Sequence, residues 1–465
     1  MELGVSLYIV ASLAILVFAA VSLYWVFSKK WQHIALFLVG AFLLQGPLRD
    51  YFHSAREFYL EWISYRFVNL FAGSVCLAIA LIIVFKSLLQ GKSRVKMVFV
   101  EKNLAFLFLL SPFFFANGLL RYNDPVLIVG DIYKWILIPL IYFVVINTIP
   151  HIQANRALEI IAFISFIYMG LGALFSARYI FFESQVTSFG DIKYLFPLVF
   201  SFLQLNLIKE KRRLYLLMYI LSICLIIITN RRALWIEMVL VHVLILLIFR
   251  KRIVITKAAI QIFAVICALL IVIFSVPFTR SIALQMIPTL GQRLSSIPEA
   301  EQSLGLTSAR IMEVQQTLEV MGRDGALLNY GVGMGPGAIF FAPHTLVVEE
   351  KAYLQEGFLH TIHITPMNIF FRTGIIGLFA FYYFSYKILI LLFRNLKREK
   401  EKLQNQILLA TTSIYLIIAL IDSIKAYGLV GDPLFAFLLG LTGIMIRSAP
   451  DEESNPTDSI QAEYD

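Results

Sequence analysis

The chain has 465 residues, of which 59% are hydrophobic and only 15% charged, and its mean hydropathy is +0.80. A soluble domain averages roughly 25% charged residues, so this composition excludes an ordinary water-soluble globule. The formal charge of +9 follows from the basic connections described next and calls for no nucleic-acid partner, while three scattered cysteines, Cys76, Cys224 and Cys267, argue against a disulfide framework or a thiolate metal site.

Apolar runs, each long enough to cross a bilayer core as a helix, recur along the whole length. They predict an all-α polytopic membrane protein of about 12–14 transmembrane helices, with spans near 5–27, 32–48, 67–90, 103–120, 135–149, 157–181, 194–208, 214–229, 233–249, 259–276, 366–393, 407–421 and 434–446. The first, Val5–Phe27, has no basic leading region and no small-residue cleavage site, so it reads as a span and not as a signal peptide. The stretches 46–66 and 121–134 leave room for surface or re-entrant helices. Odd-numbered connections carry 22 Lys and Arg and even-numbered ones 15, of which five sit in one long loop that the charge rule discounts. The odd set is therefore expected in the cytoplasm, with the N-terminus outside and the C-terminus inside. Residues 1–447 then form a single transmembrane domain that includes a periplasmic loop over 277–362. Residues 448–465 form a disordered, acidic cytoplasmic tail.

Three features stand on the outer side of this topology. Asn230-Arg231-Arg232 makes a very short turn between the eighth and ninth spans, where two arginines run against the positive-inside trend; lipid phosphates or an anionic substrate would each favour them there. The long loop predicts a helix over 307–325, with Ile311, Val314, Leu318 and Met321 as its apolar stripe and Gly322 and Gly325 as its stop. Arg310 lies on that stripe, where a guanidinium needs an anion or a carboxylate. The run Gly331-Val332-Gly333-Met334-Gly335-Pro336-Gly337 reads more readily as a tight turn returning the loop to the membrane than as a phosphate cradle. The loop closes on His360 and His363, just before Pro366. No carboxylate or cysteine nearby completes a metal set with them.

Taken together, over 230–380, these pieces resemble the O-antigen polymerase and O-antigen ligase family of bacterial envelope glycosyltransferases. The family's Ser-Arg-Gly/Thr-Ala turn is here Asn230-Arg231-Arg232-Ala233. Its loop arginine is matched by Arg310, its Gly-x-Gly-x-Gly turn by Gly331, Gly333 and Gly335, and its histidine by His363, which precedes Gly374 by eleven residues and Gly377 by fourteen. Asn230 in place of Ser and Ile364 in place of Asn are departures.

The resemblance implies a GT-C-like architecture and a multi-pass protein of the bacterial inner membrane working on its periplasmic side. It implies an undecaprenyl-pyrophosphate-linked glycan as donor and acceptor, with a chain-length regulator and a flippase as partners beside membrane lipids and no nucleic acid. It needs no cofactor and no metal. His363 would take the proton of the acceptor hydroxyl as general base, and Arg231 and Arg310, with Arg232 and Arg293 as weaker candidates, would stabilise the pyrophosphate leaving group. Polymerisation of repeat units is the favoured activity. Ligation of the glycan to a lipid A core and transport or lipid flipping without chemistry are the alternatives.

Overall fold

A computed structural model describes residues 76–81, 83–84, 99–178, 192–210, 213–229, 232–251, 253–275, 313–323, 325–341, 358–359, 362, 364–398, 403–423 and 432–447. Among them run α1 (Phe99–Leu120), α2 (Pro125–Thr148), α3 (Ala154–Arg178), α4 (Ile192–Glu210), α5 (Arg213–Thr229), α6 (Arg232–Phe249) and α7 (Ile253–Ser275). Then come α8 (Ala326–Val332), the two-residue strands β1 (Phe340–Phe341) and β2 (Phe358–Leu359), α9 (Thr365–Arg398), α10 (Leu403–Ser423) and α11 (Pro433–Arg447). A helical stretch at 313–321 precedes α8. The protein is an all-α polytopic membrane protein. Every expected span from the fourth onward coincides with one of these helices, and the third is met by helical residues at 76–81 and 83–84. The first two expected spans lie outside the described residues.

Four of the helical segments, Pro125–Thr148, His151–Gly170, Thr365–Lys397 and Asn405–Ser423, are long and apolar enough to cross a membrane, and shorter apolar helices accompany them. Large apolar side chains such as Phe113, Leu217, Ile236, Leu247, Phe379 and Tyr386 are exposed on the helix flanks. In water that surface would be untenable, whereas facing lipid it is the expected exterior.

The centre of the bundle is α4, enclosed from Leu195 to Leu207 by α3, α5, α6 and α10. Phe196 and Phe200 stack at 4.9 Å, and Phe200 packs on Tyr219 at 4.6 Å. With no hydrophobic drive between helices in lipid, close approach depends on small residues. On α11, Gly440 and Gly443 supply it, since a Cβ at Gly440 would stand 2.6 Å from Val145 and one at Gly443 would stand 2.8 Å from the Tyr142 hydroxyl of α2. Buried Thr412, Ser413 and Thr442 donate their hydroxyls to carbonyls four residues back, and the Thr442 and Thr412 hydroxyls also meet at 3.4 Å between α11 and α10.

The fifth span begins earlier than the hydropathy predicts. Asp124 caps α2, its carboxylate accepting from the N–H of Val126 and Leu127, and Pro125 occupies the first turn. The Asp-Pro pair is the start signal, and it converts most of the 121–134 connection into helix. Lys209, Arg213, Arg250, Lys251, Arg394 and Lys397 lie at helix ends opposite, by parity of the chain, to those that meet the long loop.

Candidate functional site

The best-described junction on the long-loop face gathers the end of α1, the start of α2, the 331–337 turn and the top of α9. Helix α9 is broken at Gly374, whose φ of 64° and ψ of −165° no helix contains. Beside the break, the carbonyls of Phe371 and Arg372 accept the N–H groups of Met334 and Gly335, at 2.7 and 3.0 Å. The glycine run thus docks onto a kinked transmembrane helix through main-chain bonds.

Three chain segments approach too closely there for side chains. A Cβ on Gly374 would collide with the Gly331 carbonyl, and one on Gly333 with the backbone of Arg372 and Thr373. A Cβ on Gly335 would stand 2.8 Å from Gly118 Cα, at the end of α1. Gly333, Gly335 and Gly337 all take positive φ, which glycine adopts at no steric cost. The N–H groups of Gly333, Met334, Gly335 and Ala338 bond to protein carbonyls, and that of Gly337 donates to Asp131 Oδ2 at 2.8 Å. They are committed to the fold, so the turn works as a seat and not as a phosphate cradle.

Side chains from α1, α2 and the connection between them complete the seat. Asn117 donates to the carbonyls of Val332 and Gly333, at 3.2 and 3.3 Å. Asn123 donates to those of Met334 and Pro336, both at 2.9 Å. Arg372, buried on α9, donates to Asp131 of α2 and to Asn368. A buried ion pair of this kind needs further hydrogen bonds to offset desolvation, and the Gly337 N–H supplies one. Arg121 stands at the rim, its Nε donating to Asn117 Oδ1 at 3.1 Å. Burial lowers its pKa from the ordinary arginine value.

The loop brings its own small core to this place. Met321, Ala338, Phe340, Ile362 and Phe371 are buried together, with Phe340 edge-on to Phe371 at 5.8 Å. β1 pairs antiparallel with β2, Phe340 opposite Leu359. The helix expected over 307–325 is helical at 313–321 and stops at Gly322 as read. Its buried line is Glu313, Thr317 and Met321, while Leu318 is exposed. The stripe is therefore rotated from the one the apolar residues suggested, and the buried Thr317 hydroxyl is satisfied within the helix by the Glu313 carbonyl.

Of the site residues expected from sequence, Arg232 opens α6, its side chain lying outside the described residues. Arg231, Arg293, Arg310 and His363 also lie outside them. Ile362 and Thr365, which flank His363, are fully buried at the head of α9. The sequence reading missed Asp131, Asn117 and Asn123. Asn123-Asp124-Pro125 carried a local signal, as a capped helix start, whereas the pairing of Asp131 with a residue 241 positions away carried none.

A family model described as O-antigen ligase matches residues 217–382. Over that segment, a little over a third of the chain, the sequence is similar to the O-antigen ligase family. The matched segment runs from within α5, through the α5–α6 turn and the long loop, to the middle of α9, so the glycine seat and the broken helix are family ground. No curated protein matches the chain. Asn117, Arg121, Asn123 and Asp131 lie outside the matched O-antigen ligase segment, on α1, α2 and the short connection between them.

Proposed function

We propose that this chain polymerises undecaprenyl-pyrophosphate-linked oligosaccharide repeat units on the periplasmic face of a bacterial inner membrane. The observation that carries the reading is the family match over 217–382, a span that contains the arginine turn, the loop arginine, the glycine turn and the histidine in family order. In this reading the acceptor sugar hydroxyl is held near His363, which takes its proton as the new glycosidic bond forms. The donor's anomeric carbon loses the lipid pyrophosphate, whose growing charge Arg231 and Arg310 stabilise, with Arg232 and Arg293 in support and no metal required.

Arg310 precedes Glu313, Thr317 and Met321 by three, seven and eleven positions, the spacing of one helical face. That face is the buried one in the described part of the helix. The glycine seat holds the loop against α9, the helix that follows His363 in the chain.

The test is turnover by the purified full-length protein in proteoliposomes supplied with a lipid-linked repeat unit. A ladder of lengthened chains is expected, lost in Arg310→Ala and His363→Ala variants that still insert in the membrane. Normal ladders from those variants would refute the assigned roles. The family model's description as a ligase favours a second reading, transfer of the glycan to a lipid A core. A single transfer appearing only when that core is supplied would select it.

A further inference from the structure

The junction contains two arginines in opposite electrical circumstances. Arg372 is buried and neutralised by Asp131. Arg121 is half-buried, and its bonds go to neutral atoms: the Asn117 amide oxygen at 3.1 Å and the Met334 thioether sulfur at 3.7 Å. Its Nη2 amine meets no protein acceptor among the described residues. Desolvation lowers its pKa with no opposing charge to offset it, so the charged form is left under-solvated where it stands.

The guanidinium is nonetheless held in place. Its Nε is tied to an asparagine whose own amide grips Val332 and Gly333 of the glycine turn. The neighbouring Tyr122 takes a φ of 57° and is 96% exposed, so the residue stands at an open rim and not in the bundle core. An oriented guanidinium with an unused edge suits the paired oxygens of a phosphate. We propose that Arg121 contacts the phosphate groups of the lipid-linked pyrophosphate substrate, adding to the site a cation from outside the family-matched segment. This rests on the glycan-transfer reading above. Phospholipid headgroups offer the same phosphate chemistry, and the experiment separates the two sources.

The full-length protein is reconstituted in nanodiscs of phosphatidylcholine and titrated with farnesyl pyrophosphate, with binding read by thermal shift. Wild type, Arg121→Gln and Arg121→Lys are compared, with Arg323→Gln as a control because Arg323 is exposed on the long loop and paired with Glu319. Arg121→Gln is expected to weaken binding by about tenfold or more, the scale of a charge-assisted hydrogen bond. Arg121→Lys should weaken it less, and Arg323→Gln should leave it unchanged.

Equal affinity in wild type and Arg121→Gln overturns the proposal, as does a wild type that binds no farnesyl pyrophosphate. An Arg121 effect seen only as lost dependence on added phosphatidylglycerol assigns the residue to headgroups and overturns it too. Should Arg121→Gln fail to give a monodisperse protein, Arg121→Lys decides alone, and unaltered affinity there overturns the proposal. Arg121-dependent binding by a protein that extends no lipid-linked glycan would leave this phosphate site standing and remove the polymerase reading instead.

Discussion

Asp131 and Arg372 show how a charge inside a membrane is made tolerable. From sequence, Arg372 is one of two basic residues, with Lys387, inside the eleventh expected span and Asp131 belongs to a connection, so neither Arg372 nor Asp131 announces the other. Their meeting depends on α2 starting at Pro125 and on the return of the long loop, and no local pattern encodes that. Removing one partner strands a buried charge, at a cost of about 3–5 kcal/mol, while replacing both with apolar groups costs much less. Asp131→Asn and Arg372→Met should therefore each lower the temperature of thermal aggregation in detergent sharply, and Asp131→Leu/Arg372→Met should recover most of the loss. Additive losses would show that the pair does not act as a unit. Gly374 is legible in another way: its spacing from His363 marked it, but the reason for a glycine there is visible only when the Gly331 carbonyl is seen against it. Gly374→Ala combines strained backbone, of order 1–3 kcal/mol, with a collision against the turn. It should leave the protein in the membrane, shorten or abolish the glycan ladder, and raise proteolytic cleavage near 331–337.

Helix ends were the least legible elements, because hydropathy sees the apolar body of a helix and not its caps. Helix α11 has a start like that of α2. Asp432 precedes Pro433, and its Oδ1 accepts the N–H groups of Leu434 and Phe435 at 2.9 and 3.3 Å, while Tyr415 of α10 donates to Oδ2 at 2.6 Å. Burial raises this carboxyl above its ordinary value, against the lowering effect of those three donors. The folded state therefore holds the proton more tightly than the unfolded chain does. Its contribution to stability is present below the unfolded pKa and lost as pH rises through the folded one. Thermal stability should fall as pH climbs just above the usual aspartate range. Asp432→Asn, which keeps a good cap, should flatten that dependence. Asp432→Ala should remove the cap at a cost of about 1 kcal/mol. The loop helix at 313–321 carries the complementary lesson: its stop at Gly322 was readable, but its buried face was set by the surface it packs on and not by the apolar residues it contains.

At the scale of the whole molecule, the alternation of spans was readable because lipid leaves the backbone little choice but the helix. The ten described helices that cover the fourth to thirteenth expected spans fall where hydropathy put them. The seat that joins α1, α2, the glycine turn and α9 was not readable, since its bonds cross more than 200 positions of sequence. The fourth connection and the long loop share one face through that seat, which leads to a topology prediction. Alkaline phosphatase fused after Arg323 should be active. Fusions after Lys211, Arg252 or Glu399 should be inactive there and fluorescent with a cytoplasmic reporter. Activity on both sets would overturn the orientation.

The distance along the chain between Asp131 and Arg372 also gives the pair a history. A ribosome adding about 5–20 residues each second delivers the arginine roughly 12–50 s after the aspartate. Helix α2 must pass that interval without the arginine that its acid binds in the finished fold. The late arrival of α9 is then a checkpoint in biogenesis. A chain terminated before residue 372 should be cleared by membrane quality control even though most of its spans are already made, and pulse-chase of such a truncation would measure it.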